Sequence, residues 1–180
     1  MKKLAFRGEK MKLLFTLDGK NYDESIEIVY RPSARGIVIR GGKVAMIHSK
    51  KYDYYKFPGG GIEECESPLE AMIREVREES GLVVLPETVR EFGNAHRRSV
   101  TERGGLFIQD NYYFTCACDE NVREQILDDY ESDEGFSLTF VTPEEAIAKN
   151  RAADYGKMPF MLERESRVLE LLIEEGYFEK

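Results

Sequence analysis

Residues 60–82 read GGIEECESPLEAMIREVREESGL, and this stretch decides how the rest of the chain is interpreted. Ser67 is a good helix N-cap, Pro68 suits the first helical position, and Glu70 completes a capping box. Gly81 is typical of the residue that ends a helix. Between these ends, apolar residues recur at the i, i+3, i+4 and i+7 spacing of one helical face: Leu69, Met72, Ile73 and Val76. The stretch therefore predicts a helix with one buried face.

The same helix carries a second face made of acidic residues. Glu75, Glu78 and Glu79 stand at i, i+3 and i+4, so their side chains project within an arc of about 100°. Carboxylates that lie so close repel one another unless a cation sits between them, and oxygen ligands of this kind bind Mg²⁺ beside substrate phosphates. The alternative is a solvated acidic face, which is common in a chain with 34 acidic residues.

The full spacing of the stretch is similar to a known motif. Gly60 is followed after five residues by Glu66, and after seven more by the run from Arg74 to Leu82. This pattern resembles the Nudix box, with every defined position filled, and a weaker resemblance extends over residues 35–149. The resemblance implies an α/β/α sandwich around a mixed sheet. It also implies metal-dependent hydrolysis of a nucleoside diphosphate linked to another group.

The resemblance also implies roles for particular residues. It makes Glu75, Glu78 and Glu79 the metal ligands, for Mg²⁺ or alternatively Mn²⁺, and one of them would also act on water. The carbonyl of Gly59 is a further candidate ligand, because glycine allows a close approach of the backbone. The expected catalytic residues in the box are Glu78, Glu79 and Arg74, with Arg74 orienting a glutamate. An ordinary surface ion pair is the alternative for Arg74.

The family often uses a general base outside the box. The candidates in this chain are Glu102, Glu131, Asp133 and Glu134, and Glu134 is the residue we choose from the sequence. Each of them taken singly is more often an acid on the surface of an acidic protein. The choice of Glu134 is therefore a prediction to be compared with the structure.

Two segments are candidates for substrate binding. The run at 50–57, KKYDYYKF, is cationic and aromatic and directly precedes the glycines, so Lys56 and Tyr54 could hold phosphate and stack on a base. Arg97 follows His96 in a predicted strand and could meet a phosphate. The alternatives are an edge strand with solvated lysines for the first segment and an exposed strand for the second.

Composition limits the classes of partner. The net charge of -8 and the pI near 5.0 argue against broad binding of nucleic acid or a membrane surface, although a metal ion can still bring in an anionic substrate. Three cysteines without a disulfide spacing pattern indicate free thiols in a reducing compartment. We find no signal peptide and no transmembrane span in the sequence. The expectation is a cytoplasmic protein that binds a small nucleotide and no nucleic acid.

The pattern of strands and helices predicts an α+β fold. Two apolar runs, 12–16 and 26–30, flank Asp18-Gly19-Lys20-Asn21 and predict an extra N-terminal β-hairpin. We therefore divide the chain into an extension over 1–31 and a main domain over 32–180. The extension could enlarge a sheet or serve as the arm of a homodimer, and the sequence leaves both open.

The sequence limits the type of reaction more closely than it limits the substrate. The secondary markers that distinguish members of the family acting on ADP-ribose or dinucleoside polyphosphates are absent after the box. Our first hypothesis is a nucleoside triphosphate pyrophosphohydrolase, and an ADP-ribose or nucleotide-sugar pyrophosphatase is the alternative. A non-catalytic nucleotide sensor on the same fold is the alternative of another class, although the intact glutamates favour the enzyme.

Overall fold

The computed structural model describes residues 11–153 and 159–179, and the account below concerns these ranges. The strands are β1 Leu13–Asp18, β2 Ile28–Tyr30, β3 Ser33–Ile37, β4 Ile39–Arg40, β5 Lys43–Ser49, β6 Tyr54–Lys56, β7 Gly59–Gly61, β8 Arg90–Val100, β9 Leu106–Thr115 and β10 Ser137–Val141. The helices are α1 Pro68–Ser80, α2 Asp129–Glu134, α3 Pro143–Ala152 and α4 Pro159–Glu174, and a 3₁₀ turn spans Pro86–Thr88. No helix in these ranges has the length and apolar character needed to cross a bilayer.

The strands form two sheets. The larger sheet is mixed and has the order β1-β8-β9-β3-β7, with β2 also paired to β9. The smaller sheet is antiparallel and has the order β10-β5-β4, with β6 paired to β5. The short turn at Gly41 and Gly42 joins β4 to β5, and both glycines have the positive φ that two-residue hairpin turns favour.

Helices cover the sheets from two sides. On one side, α1 packs Ala71, Met72 and Val76 into a core cluster with residues of β3 and β9. Its approach to β3 is close, because a Cβ on Gly36 would lie 2.5 Å from a methyl group of Val76. On the other side, α3 and α4 pack into a second cluster that includes Leu169. This arrangement confirms the predicted α+β fold with helices on both sides of a mixed sheet.

The predicted N-terminal hairpin is wrong, although both of its strands exist. β1 does not pair with β2; it lies parallel to β8, with Leu17 opposite Arg97, while β2 lies parallel to β9. The physical reason is that the long β8–β9 hairpin offers each short strand a separate partner, which buries Phe15 and Leu17 of β1. The two strands therefore extend the main sheet. Residues 1–10 of the proposed extension lie outside the described ranges.

Candidate active site

The local sequence builds helix α1 as predicted. The Ser67 hydroxyl accepts a hydrogen bond from the Glu70 amide at 3.2 Å, and the Glu70 carboxylate accepts one from the Ser67 amide at 2.9 Å. Gly81 ends the helix with φ of 74°, a conformation that costs glycine little. A Cβ at this position would also lie 2.0 Å from the Arg123 carbonyl oxygen. These two ends determine which residues face the core and leave the glutamates on another side.

The Arg74 guanidinium forms ion pairs with Glu66, Glu75 and Glu78. Its Nε and Nη2 donate to the two carboxylate oxygens of Glu66 at 2.9 and 2.8 Å. Its Nη1 donates to Glu75 at 2.7 Å and to Glu78 at 3.2 Å, and Nη2 also reaches the Gly61 carbonyl at 3.1 Å. A planar guanidinium can hold several acceptors at once, so one side chain determines the orientation of two box glutamates. The alternative role for Arg74, an i, i+4 ion pair with Glu78, is present as one of these contacts.

Glu79 lies deeper than its neighbour Glu78 and has different partners. Its side chain is 1 % exposed, whereas that of Glu78 is 37 % exposed. The Lys56 ammonium donates to one carboxylate oxygen of Glu79 at 2.5 Å, and the Gly59 amide donates to the other at 2.8 Å. Lys56 also lies over the Phe136 ring at 4.6 Å. Lys56, which the sequence predicts to hold a substrate phosphate, therefore forms an ion pair with Glu79 in this structure.

The glycine loop brings the backbone against these acids. Gly59 has φ of 146°, and a Cβ there would lie 2.2 Å from the Ala34 carbonyl oxygen, so only glycine fits. A Cβ on Gly60 would meet the Glu75 carboxylate at 2.5 Å. The Gly59 carbonyl accepts a hydrogen bond from Arg35 at 3.1 Å. A carbonyl oxygen has two lone pairs, so one remains for a further ligand.

A cavity of about 430 Å³ opens beside the glutamates; below it is called the glutamate cavity. Five of its lining residues are acidic: Glu63, Glu75, Glu78, Asp128 and Glu131. Two arginines also line it, Arg74 and Arg31, together with the apolar or aromatic side chains of Ile62, Ile126 and Tyr130. The cavity thus combines several oxygen donors with surfaces that could contact a planar group.

Glu131 is the acid that tertiary structure adds to the box glutamates. It is the N3 residue of α2, where its carboxylate accepts a hydrogen bond from the Asp128 amide at 3.0 Å. Burial, and then the contact with Glu79, raises the pKa of Glu131 to about 7. Burial also raises the pKa of Glu75, and the charge of Glu79 adds to that rise while Arg74 opposes it. In this cavity, burial and neighbouring negative charges favour carboxylates that are protonated or paired with a cation.

The other candidate bases lie elsewhere in the molecule. The Glu134 carboxylate accepts hydrogen bonds from Tyr54 at 2.8 Å and from Ser49 at 3.1 Å, and it does not line the glutamate cavity. Asp133 pairs with Lys51 at 2.5 Å on the surface. The choice of Glu134 stays a prediction, but its position differs from that of Glu131, and position favours Glu131.

Two of the residues predicted to bind substrate are also placed away from the glutamate cavity. The Tyr54 hydroxyl donates to Glu134. Arg97 lies between the rings of Phe107 and Phe160, at 5.1 and 4.8 Å from their centroids. It lines a second cavity of about 380 Å³, called here the Arg97 cavity, which also contains Glu102.

Sequence reasoning did not assign Arg31 or Tyr130 to the site, and it weighed Glu131 without choosing it. No motif marks Arg31, because its place in the cavity follows from the pairing of β3 with β7. A signal for Glu131 was present: Asp128 and Glu131 form a capping box, which predicts a short helix. Nothing in that signal tells on which side of the molecule the helix lies.

The side chains that could hold a divalent ion are turned toward protein cations. Within the described ranges, no three acidic, histidine or cysteine side chains converge closely enough to enclose an ion as they stand. The reason is visible in the contacts, since Arg74 draws Glu75 and Glu78 while Lys56 draws Glu79. Three carboxylates and the nearby Gly59 carbonyl are nevertheless the oxygen donors that a hard divalent cation requires. The chemistry of the donor set therefore fits such an ion.

Comparison with known proteins identifies the family. A family model described as the NUDIX domain matches residues 29–161. That range includes the glycine loop, helix α1 and α2, and it begins three residues before the domain boundary we expected at residue 32.

Individual relatives are similar over a shorter stretch. An RNA pyrophosphohydrolase of Xylella fastidiosa (strain 9a5c) is 46% identical over 66 residues, covering 36% of this chain and 33% of that protein. An RNA pyrophosphohydrolase of Stenotrophomonas maltophilia (strain K279a) is 42% identical over 65 residues, covering 36% of this chain and 31% of that protein. The chain thus spans about a third of the length of these curated relatives.

A solved structure supports the fold. A NUDIX hydrolase from Nitrosomonas europaea superposes with a TM-score of 0.52 at 18% identity, covering 74% of this chain and 84% of that one. At this level of identity the likeness concerns the fold, and the chemistry must be argued from the site itself.

Proposed function

Because this chain belongs to the NUDIX domain family, we propose that it is a divalent-metal-dependent hydrolase of a phosphoanhydride bond in a nucleoside diphosphate linked to another group. The observation that carries this proposal is that Glu75, Glu78 and Glu131 line one cavity, and that Glu131 also contacts the buried Glu79. Carboxylates with raised pKa values that are brought into one cavity from distant segments are typical of functional sites.

The proposed metal ligands are Glu75, Glu78, Glu79 and the Gly59 carbonyl, with Mg²⁺ as the first choice and Mn²⁺ as the alternative. A bound divalent ion would neutralise the charge of the diphosphate and lower the pKa of a water molecule. Binding requires Glu79 to share its carboxylate with the ion, and Lys56 then remains as a nearby positive charge. Arg74 keeps Glu75 and Glu78 in position from the opposite end.

We assign the general base to Glu131, with Glu134 retained as the alternative. Glu131 lines the cavity next to Glu79, so it can accept a proton from a water molecule that attacks phosphorus. Arg31 faces the same cavity and is suited to contact a substrate phosphate, and Tyr130 is suited to stack on a base. Lys56, Tyr54 and Arg97 keep the substrate-binding role only as predictions.

The first proposed reaction is the attack of water on a nucleoside triphosphate, which breaks the α–β anhydride and yields a nucleoside monophosphate and pyrophosphate. An ADP-ribose or nucleotide-sugar pyrophosphatase uses the same machinery and remains the alternative. An RNA with a 5′-triphosphate is a further candidate, because the relatives described above are named RNA pyrophosphohydrolases. The net charge of -8 favours a small substrate over a long polyanion.

We propose a cytoplasmic location for the protein, consistent with its free thiols. A homodimer remains a prediction, which a measurement of mass in solution would test.

The proposal is tested by measuring phosphate release with Mg²⁺ or Mn²⁺. The substrates are unmodified and oxidised nucleoside triphosphates, ADP-ribose, nucleotide sugars, dinucleoside polyphosphates and a short RNA with a 5′-triphosphate. Added pyrophosphatase separates released pyrophosphate from orthophosphate. We expect one substrate class to be hydrolysed well ahead of the others and EDTA to stop the reaction.

A different result would point to another class of protein. If no substrate is hydrolysed while nucleotides still bind, the chain is a nucleotide sensor and the enzymatic proposal is wrong. If the RNA is hydrolysed ahead of free nucleoside triphosphates, the small-molecule substrate and the expected absence of nucleic-acid partners are both wrong.

A further inference from the structure

A buried ion network connects the last helix to the glycine loop. Glu165 lies on α4, beyond residue 161 where the family match ends, and its side chain is fully buried. One of its carboxylate oxygens accepts hydrogen bonds from Arg164, with Nε at 2.9 Å and Nη2 at 2.5 Å, and lies 3.8 Å from Arg35. The Tyr113 hydroxyl donates to the same oxygen at 3.3 Å. The second carboxylate oxygen points to the loop.

The second oxygen of Glu165 accepts a hydrogen bond from the Phe57 amide at 2.9 Å. Arg35 completes the contact from the sheet side, because its Nη1 donates to the carbonyls of Phe57 and Gly59, both at 3.1 Å. The Glu165 carboxylate and the Arg35 guanidinium therefore both form hydrogen bonds to the backbone of residues 57–59. Both of these side chains are buried.

An account of the backbone groups in this segment shows how completely it is held. The Phe57 amide binds Glu165, and the Phe57 carbonyl binds Arg35. The Pro58 carbonyl accepts from the Gly36 amide at 2.9 Å, the Gly59 amide binds Glu79, and the Gly59 carbonyl binds Arg35. Each backbone amide and carbonyl of residues 57–59 therefore has a hydrogen-bond partner. The Gly59 carbonyl is held while one of its lone pairs stays available.

Charge explains why such a network persists in the interior. Burial by itself would raise the pKa of Glu165, but the charges of Arg164 and Arg35 outweigh burial, so the pKa lies below its ordinary value. The carboxylate is thus ionised at neutral pH. Removing one charged member leaves the opposite charge buried without compensation, which strongly destabilises a folded protein. An arrangement so costly to disturb is rigid, which is what a metal-binding backbone atom needs from its surroundings.

We propose that Glu165 and Arg35 are positioning residues that hold the Gly59 carbonyl where a divalent ion can bind it. The inference rests on the proposed function, in which that carbonyl is a metal ligand. Neither side chain touches the ion or the substrate. They act through the Phe57–Gly59 backbone, so a helix that lies mostly beyond the family match contributes to the affinity of the site for metal.

The test is Mn²⁺ affinity measured by electron paramagnetic resonance without nucleotide, in the full-length protein and its Glu165→Gln variant. Thermal unfolding in EDTA is measured in parallel. We expect Mn²⁺ to bind about 10- to 100-fold more weakly to Glu165→Gln, as is typical when the support of a metal ligand is lost. Tyr113→Phe is the matched control, because it removes only the hydroxyl that donates to Glu165 and keeps the ring that packs against Phe57. It should keep its Mn²⁺ affinity within about twofold even if it unfolds at a lower temperature.

Arg35→Lys provides the second measurement if Glu165→Gln does not fold. Lysine keeps the positive charge but loses the planar donor that serves two carbonyls, so Mn²⁺ affinity should again fall. Unchanged Mn²⁺ affinity in a folded Glu165→Gln or Arg35→Lys protein would overturn the inference and leave the network a purely structural one. An absence of Mn²⁺ binding in the wild-type protein would instead overturn the proposed metal site. The two failures are therefore distinguishable.

Discussion

The glutamate cavity and the Arg97 cavity are similar in volume, about 430 and 380 Å³, and both contain glutamate and arginine. Their electrostatics are opposite. In the glutamate cavity, burial raises the pKa of Glu131 to about 7, and Arg74 is already occupied by other carboxylates. In the Arg97 cavity, burial and then the charge of Arg164 lower the pKa of Arg97 to about 10.

The comparison shows that residue type alone does not define a site. Glu102 and Glu131 are both acids in loops or short elements of an acidic chain, and the sequence offered both as bases. Of the two, Glu131 is the one placed beside helix α1, where it contacts the carboxylate of Glu79. Glu102 is exposed and lies next to Arg97 and Arg103. Proximity to other buried charges is therefore what turns an ordinary acid into a candidate for chemistry.

The largest effect is expected for Glu79, the buried carboxylate that contacts Glu131 of the glutamate cavity. Glu79→Gln keeps the size of the side chain but removes the charge that holds the metal, so turnover should fall about 10²-fold or more. Glu102→Gln is the matched control in the Arg97 cavity and should stay within about twofold of wild type. Steady-state rates at saturating Mg²⁺ decide the matter, with circular dichroism to check folding. A wild-type rate in Glu79→Gln would show that this glutamate has no part in the reaction.

The next comparison separates the two candidate bases. Glu131→Gln should lower kcat about 10²-fold, because general base catalysis is commonly worth 10²–10⁴. Glu134→Gln, which removes a partner of Tyr54 and Ser49, should change kcat only a few-fold, roughly the scale of a lost surface contact. Both variants are compared at the same pH and Mg²⁺ concentration. The opposite order of effects would restore the residue that sequence reasoning preferred.

A smaller effect is expected for the arginines that could meet a phosphate. Arg31→Gln should raise KM about tenfold, since loss of a charge-assisted hydrogen bond costs about 1.5 kcal/mol or more. Arg97→Gln should leave KM close to the wild-type value if the Arg97 cavity does not hold substrate. Initial rates over a range of substrate concentrations give both values. A larger rise in KM for Arg97→Gln would move the substrate to the second cavity.

The smallest effect concerns pH and the metal-free protein. The pKa of Glu131 is raised in the folded state from 4.5 to about 7, so its contribution to stability is fully present below pH 4.5 and is lost as pH rises through about 7. In EDTA, the Tm of the wild type relative to that of Glu131→Gln should therefore fall as the pH rises from 4.5 to about 7. The raised pKa of Glu75 is common to both proteins and cancels in the comparison. A difference in Tm that does not change with pH would contradict the assigned environment of Glu131.

Much of the fold could be predicted because its signals are local. The caps at Ser67 and Gly81, the hairpin at Gly41 and Gly42, and the start of α3 at Thr142 all depend on residues within a turn of one another. The N-terminal strands were also predicted, but their partners were not. A short apolar run shows that a strand will form, while its neighbour depends on which free edge of a sheet buries it best.

The sequence by itself determined the family motif, the capped box helix and the acidic face of Glu75, Glu78 and Glu79, because spacing along a helix specifies direction. Only the tertiary structure decided which acid from another segment joins that face and how the Gly59 carbonyl is held. Glu131 and Glu165 are separated from Glu79 by 50 residues or more, and no local rule measures the distance between such segments. Their roles depend on burial and on the charges brought next to them, and these arise only when the chain packs.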